Sequence, residues 1–297
     1  MTSVDVTGWE PADEEQLGTK PKQWIRGPDD ELWLWKESTI HEDARHGAFR
    51  KGDDWSEVVA ARVGQRLGVP VARVELATRG ERFGVISRKV SDDETEALVH
   101  GNELLDEIGV GTGEPHDRTG YTVEAVARCL ERAGPPVPSD QLAAAFDWFA
   151  GYLVLDTLVG NTDRHQDNWA TIRSSAGERL SPSFDHASCL GFQVSDDERL
   201  DRLEGRGNRT VSSYAAGART KFEGRPSTFE AASAALSLVG EVARRHWIEA
   251  VANAPDLLAL VSDLPDERMN TTAKRFAGAL YAENRRSLSH LLRTMEP

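Results

Sequence analysis

The segment that most restricts what this chain can become is the apolar run from Leu142 to Gly160, together with the polar loop that follows it. The run is long enough to suggest a membrane span. It carries Asp147 and Asp156, however, and a carboxylate at the centre of a bilayer costs about 2.5–3.5 kcal/mol. A helix apolar on nearly every side belongs instead in a protein core. Ser139-Asp140 can cap its start, and Gly160 is a suitable stop. With 297 residues the chain can bury such a helix as one large domain or two modest ones.

The segments around this helix divide the chain. The residues up to Glu15 are polar and acidic and read as frayed, so residues 1–16 are expected to be disordered. Lys22–Arg26 and Glu31–Lys36 flank Gly27-Pro28-Asp29-Asp30 and read as a hairpin. In its second strand Leu32, Leu34 and Lys36 share one face, while Trp33 and Trp35 share the other. The spacing of Val58, Ala61 and Gln65 and of Val59 and Val63 predicts a helix from Asp54 to Leu67, stopped by Gly68. Val71–Thr78 and Phe83–Val90 read as a second hairpin. This β-rich part, residues 17–95, precedes a mostly helical part, residues 96–297. The latter has helices at Tyr121–Arg132, Phe229–Ala252 and Ala273–Met295, and two short strands at Trp169–Arg173 and Leu180–Phe184. The fold class is α+β, with a small β-rich lobe and a larger helical one.

Chemistry concentrates after Gly160. The loop Asn161-Thr-Asp-Arg-His-Gln-Asp-Asn168 holds Asp163 and Asn168 five positions apart, and the hairpin beyond it leads to Phe184-Asp185-His186. Phosphoryl transfer requires a carboxylate to orient the attacking oxygen, and an amide oxygen plus a second carboxylate for magnesium. Asp163-Arg-His-x-x-Asn168 followed by Phe184-Asp185, with Gly-Asn-Thr upstream, resembles the HipA-like serine/threonine kinases. The phosphatidylinositol kinases carry a similar loop. The resemblance covers roughly Gly18 to Phe192 and implies a two-lobed protein-kinase-like fold. It implies Asp163 as catalytic base or orienter, with His165 able to assist, and Asn168 and Asp185 as Mg2+ ligands. It further implies that Lys36 contacts the phosphates of ATP and that Glu57, on the helix that follows, holds Lys36.

The chain also departs from that pattern. No Gly-x-Gly-x-x-Gly loop precedes Lys36, and Gly18-Thr19-Lys20 is the nearest candidate phosphate cover. Asp185 is followed by His186-Ala187 rather than Phe-Gly. Lobe order places the adenine-contacting segment at Lys89-Val90-Ser91. The N-terminal subdomain of the HipA toxin has no room before Lys36, which puts a HipB-type antitoxin partner in doubt. The implied activity is transfer of the ATP γ-phosphoryl to a hydroxyl of a protein Ser or Thr. A lipid or small-molecule acceptor, and a nucleotide-binding pseudokinase that acts as a regulatory module, are the alternatives.

Plainer roles compete with each assignment. Asp163 and Asn168 can cap turns, Arg164 can pair with a nearby carboxylate, and His165 can simply hydrogen-bond the loop. Lys36 can lie exposed on a strand edge, and Glu57 can be solvated. His186, His165, Asp163 and Asp167 also raise the alternative of a metal-dependent phosphohydrolase. Composition narrows the partners. A formal charge of −14 opposes a nucleic-acid surface, though not phosphate binding at one pocket. It equally opposes binding to an anionic membrane. Two cysteines without zinc spacing and an N-terminus without a secretory pattern give a cytoplasmic expectation, with no membrane insertion.

Overall fold

The computed structural model describes residues 2–14, 22–43, 47–92, 94–110 and 118–295. Its first part is a six-stranded sheet of order β1-β7-β8-β4-β3-β2. The strands are β1 (Val4–Asp5), β2 (Glu10–Glu14), β3 (Lys22–Arg26), β4 (Leu32–Glu37), β7 (Val74–Arg79) and β8 (Arg82–Arg88). All neighbours are antiparallel except β1 and β7. A separate hairpin of β5 (Ile40–Asp43) and β6 (Gly47–Arg50) leads into helix α1 (Asp53–Leu67). Both predicted hairpins are present. The N-terminus departs from the expectation of disorder, because β1 and β2 occupy the two edges of this sheet. Val6 is fully buried there, with Ile25, Trp33, Trp35, Ala77 and Ile86. Strands of two and five residues among polar neighbours have too little periodicity to read, so only the tertiary partner reveals them.

The second part opens with β9 (Glu96–His100), which pairs with β10 (Ala170–Ser174), itself paired with β11 (Gly177–Leu180). The hairpin at Ser174 is therefore tighter than predicted, and β11 ends where the second strand was expected to begin. Helices α2 (Gly101–Glu107), α3 (Val123–Cys129), α4 (Ala145–Val159), α5 (Asp196–Glu204) and α6 (Val211–Ala216) follow. They are completed by α7 (Thr228–Leu238), α8 (Glu241–Ala252), α9 (Leu257–Val261) and α10 (Thr271–Arg293). The stretch predicted as one helix from Phe229 is thus two, broken at Val239-Gly240. The apolar run forms α4, which starts later than the predicted cap. Ser139 Oγ instead accepts from the Gln141 and Leu142 backbone in a turn. Gly160 ends α4 with φ of 66°, a left-handed stop that glycine adopts without steric cost. Among the described residues no helix is long and apolar enough to cross a membrane.

Helix α1 joins the parts. Its later turns bury Val58, Val59, Val63 and Leu67 in the main core, and its first turn buries polar groups. Each of those residues has a partner through at least one atom, although among the described residues Asp54 Oδ1 accepts no hydrogen bond. Asp53 accepts from Thr39 Oγ1 at 2.7 Å. Asp54 pairs with Arg50 and with Arg268, each at 2.8 Å. Arg268 comes from the segment before α10, also donates to the Ala77 carbonyl, and lies over the Phe83 ring. The side chains of Arg268 and Asp54 are both 0% exposed. The distant helical tail therefore fastens α1 to the sheet from behind.

Packing around α4 is tight enough to test. A Cβ on Gly151 would sit 2.2 Å from Cζ2 of Trp247, whose indole is held by its Nε1–H donating to Asp147 O at 2.8 Å. Helix propensity favours alanine over glycine by about 1 kcal/mol, whereas overpacking a filled core costs about 1–3 kcal/mol. Gly151→Ala is accordingly expected to lower stability in urea unfolding despite the better helix former. A gain would mean that the Trp247 ring can slide aside.

Candidate active site

Three strands of argument from the sequence meet at Asp185. Lys36 on β4 points off the sheet, and its Nζ lies 2.9 Å from Asp185 Oδ1 and 3.5 Å from Glu57 Oε2. Lys22, directly opposite Lys36 in the β3–β4 register, reaches Asp185 Oδ2 at 3.3 Å. Like charges opposed across two strands destabilise a sheet unless an anion lies between them. Asp185 is that anion. Burial would push its carboxyl up, but the two ammonium groups outweigh burial and hold it well below the usual carboxylate range. Burial likewise opposes the charge on Lys36, yet Asp185 and Glu57 hold it above the ordinary lysine value. For Glu57, 1% exposed, burial pushes the carboxyl up and Lys36 offsets only part of this.

Backbone geometry delivers Asp185 to this position. Its φ is 57°, in the left-handed region that a non-glycine residue enters at a cost of about 1–2 kcal/mol. Such strain persists where surroundings over-determine it. Here the next residues are tied to α1. The His186 amide donates to Glu57 Oε1 at 3.2 Å, and Ser56 Oγ donates to Ala187 O at 2.6 Å. The His186 ring is buried against Ser183 Oγ at 2.7 Å, and burial followed by the Arg164 charge holds its pKa well below the ordinary value. It is a neutral packing group. His165, half exposed, accepts from the Asp167 amide at 3.2 Å, which is the plainer of its two roles. Among the described residues no group of three or more His, Cys, Asp and Glu is arranged to hold a metal ion, so the histidine-rich phosphohydrolase cluster does not assemble.

The loop after α4 is built on Arg164. Its guanidinium meets Asp156 in a two-point contact, Nε to Oδ2 and Nη2 to Oδ1, both at 2.8 Å. Nη1 donates to the Asn168 carbonyl at 2.8 Å. Asn161 Nδ2 also donates to Asp156, at 2.8 Å. With its base fixed, the loop leaves the Asp163 side chain partly exposed and keeps Asn168 buried beside it. Asn168 Nδ2 donates to the Asp163 carbonyl at 2.7 Å. A carbonyl demands the NH2 end of the amide, so Asn168 Oδ1 is the end available to a cation. The Asp163 carboxylate is half exposed, with Lys221 Nζ 3.1 Å from Oδ1 and Ser188 Oγ 3.3 Å from Oδ2.

Placement of the remaining candidates is mixed. Gly18, Thr19 and Lys20 lie outside the described residues. Lys89, Val90 and Ser91 follow β8 and lead toward β9, with Lys89 Nζ over the Trp24 ring at 5.2 Å. Two charged groups escaped the sequence reading. Lys22 escaped because the four-residue turn read from the sequence would set it opposite Trp35, whereas five residues separate the paired Arg26 and Leu32 and bring it opposite Lys36. Lys221 had no signal, because no local pattern links it to Asp163.

Comparisons with known proteins bear on the family and the fold. The family model of the HipA-like C-terminal domain matches residues 14–257. The serine/threonine-protein kinase CtkA of Helicobacter pylori is 27% identical over 156 residues, which are 48% of this chain and 42% of that protein. The chain thus spans less than half the length of this curated relative. A crystal structure of the H. pylori proinflammatory kinase CtkA superposes with a TM-score of 0.72 at 17% identity, covering 99% of this chain and 98% of that one. HipA of Shewanella oneidensis, solved with HipB and operator DNA, superposes with a TM-score of 0.58 at 15% identity, covering 97% of this chain and 69% of that one. These structural likenesses establish a two-lobed, protein-kinase-like α+β fold.

Because Arg164 and Asp156 are both buried, removing one charge strands the other. Arg164→Met is expected to cost about 3–5 kcal/mol in urea unfolding. Arg164→Lys, which keeps the charge but not the two-point geometry, should cost less. Equal stability of Arg164→Met and the wild type would contradict the anchoring role.

Proposed function

From the premise that the chain belongs to the HipA-like C-terminal domain family, we propose that it is a kinase that moves the γ-phosphoryl of ATP to a hydroxyl, in the first instance on a protein Ser or Thr. The observation that carries this reading is the charge cluster in which Lys36 joins Glu57 and Asp185, together with a loop that exposes Asp163 in part and ties the Asn168 amide to its carbonyl. The serine/threonine specificity in the name of its relative CtkA favours a protein hydroxyl as acceptor.

The residues suit a divalent cation. Asp185 is held ionised, and Asn168 offers an amide oxygen, both hard donors of the kind magnesium takes. Bound there, magnesium would supply positive charge against the phosphate oxygens. Nucleotide phosphates would draw Lys36 and Lys22 onto themselves and leave the Asp185 carboxylate to the cation. Glu57 keeps Lys36 extended toward them. Asp163 accepts the hydrogen bond of the acceptor hydroxyl. As the acceptor oxygen bonds to phosphorus, the bond from phosphorus to the ADP oxygen breaks, and the hydroxyl proton passes to Asp163 or solvent. Because the transition state is loose, orientation by Asp163 counts for more than its strength as a base.

The two halves of this reading separate experimentally. ATP with magnesium should raise the thermal midpoint of the wild type, by an amount equivalent to about 2.7 kcal/mol at a hundredfold excess over Kd. Asp185→Ala should lose that shift. Asp163→Asn should keep it while phosphotransfer from radiolabelled ATP falls about 10²–10⁴-fold. Full phosphotransfer by Asp163→Asn would overturn the assignment of that residue. A nucleotide shift without transfer to any acceptor would favour the regulatory pseudokinase.

A further inference from the structure

The Asp163 carboxylate does not stand alone, and its two oxygens are held very differently. Oδ2 receives a 3.3 Å hydrogen bond from the Ser188 hydroxyl, whereas Oδ1 faces the ammonium of Lys221 at 3.1 Å. Taken singly, an ion pair with side chains 32% and 35% exposed is a surface contact of little consequence. The chain around Lys221 argues otherwise.

Both neighbours of Lys221 are buried and fixed. Thr220 donates to the Pro226 carbonyl through its amide at 2.8 Å and through its hydroxyl at 2.9 Å. Phe222 stacks on Tyr121 with ring centroids 4.6 Å apart. The Glu223 amide then donates to Tyr121 O at 2.8 Å. Tyr121 in turn donates its hydroxyl to the carbonyl of Arg164, the residue next to Asp163, at 3.0 Å. One buried ring therefore braces the backbone on both sides of the ion pair. Much of the ordering that makes exposed pairs weak is already supplied by the fold.

We propose that Lys221 is a positioning residue for Asp163. It holds Oδ1, fixes the carboxylate plane, and leaves Oδ2 as the oxygen that exchanges the Ser188 hydroxyl for that of the acceptor. This rests on the kinase reading above and deepens it. Ser188 presents to Asp163 the same group that an acceptor would, a hydroxyl donating to Oδ2, and so marks the acceptor side of the carboxylate. A second consequence is charge balance: the pair keeps an anionic carboxylate tolerable beside anionic phosphates.

The test uses the full chain with Lys221→Met and Lys221→Arg. Lys221→Met should lower kcat for phosphotransfer by about 10²-fold, the scale of losing one well-placed polar group at a reacting centre. KM for ATP should stay unchanged, and Lys221→Arg should restore most of kcat. An unchanged kcat, or a rise in KM for ATP alone, would overturn the proposal, the latter by making Lys221 a nucleotide ligand. A readout without catalysis keeps this apart from the kinase reading. The urea midpoints of Lys221→Met, Asp163→Asn and the double variant form a cycle. Non-additive midpoints support the positioning role even if the wild type transfers nothing, an outcome that would sink only the kinase reading. Additive midpoints overturn the positioning role whatever the activity.

Discussion

Everything that gives this molecule its chemical character converges on one partly buried carboxylate held between two lysines. Lys36 and Lys22 meet the two oxygens of Asp185 and hold its carboxyl well below the usual carboxylate range against the opposing effect of burial. Lys36 can stay charged only because Asp185 and Glu57 face it. Removing Lys36 would leave Glu57, 1% exposed, without its neighbouring cation, a loss of about 3–5 kcal/mol for an ordinary buried pair. That mutual dependence accounts for the otherwise puzzling composition of α1. Its first turn buries Asp53, Asp54, Ser56 and Glu57, residues that hydrophobic packing would never select. They are buried because Ser56 and Glu57 hold the backbone that presents Asp185. Arg268, from the far end of the chain, neutralises Asp54 behind them.

A second centre, Arg164 with Asp156, does for the loop after α4 what α1 does for Asp185. It puts the rigid part of the loop inside, where Arg164 binds Asp156 and the Asn168 carbonyl. Asp163 is left partly exposed, where the acceptor hydroxyl of the proposed reaction would reach it. The division is economical in physical terms. The groups that need a low-dielectric setting to interact strongly are buried, and the one that must meet a second molecule is not.

Much of the site was legible in the sequence. The spacing of Asp163 and Asn168, the strand face of Lys36, and the helix carrying Glu57 are local patterns, and each was readable from its neighbours. The structure brings Glu57 to Lys36 as expected, and adds a contact of Lys36 with Asp185 that the sequence reading did not include. What escaped were pairings between distant segments. Nothing near Lys221 announces Asp163, and nothing near Arg268 announces Asp54, because such contacts are decided by how whole elements pack. Local errors had local causes. β1 and β2 are short and polar and show no alternation. The start of α4 was misplaced because Ser139 has a side chain equally suited to a turn. Val239-Gly240 broke a helix whose two halves share a similar apolar stripe.

The central claim is that the Lys36–Lys22–Asp185 cluster is a phosphate and cation site held closed by its own charges. A crystal structure with a non-hydrolysable ATP analogue and magnesium tests it most directly. The account predicts both lysines on the nucleotide phosphates, and the cation on Asp185 and Asn168 Oδ1. Glu57 should stay on Lys36, with α1 unmoved. A nucleotide bound elsewhere, or one bound with both lysines still on Asp185, would contradict it.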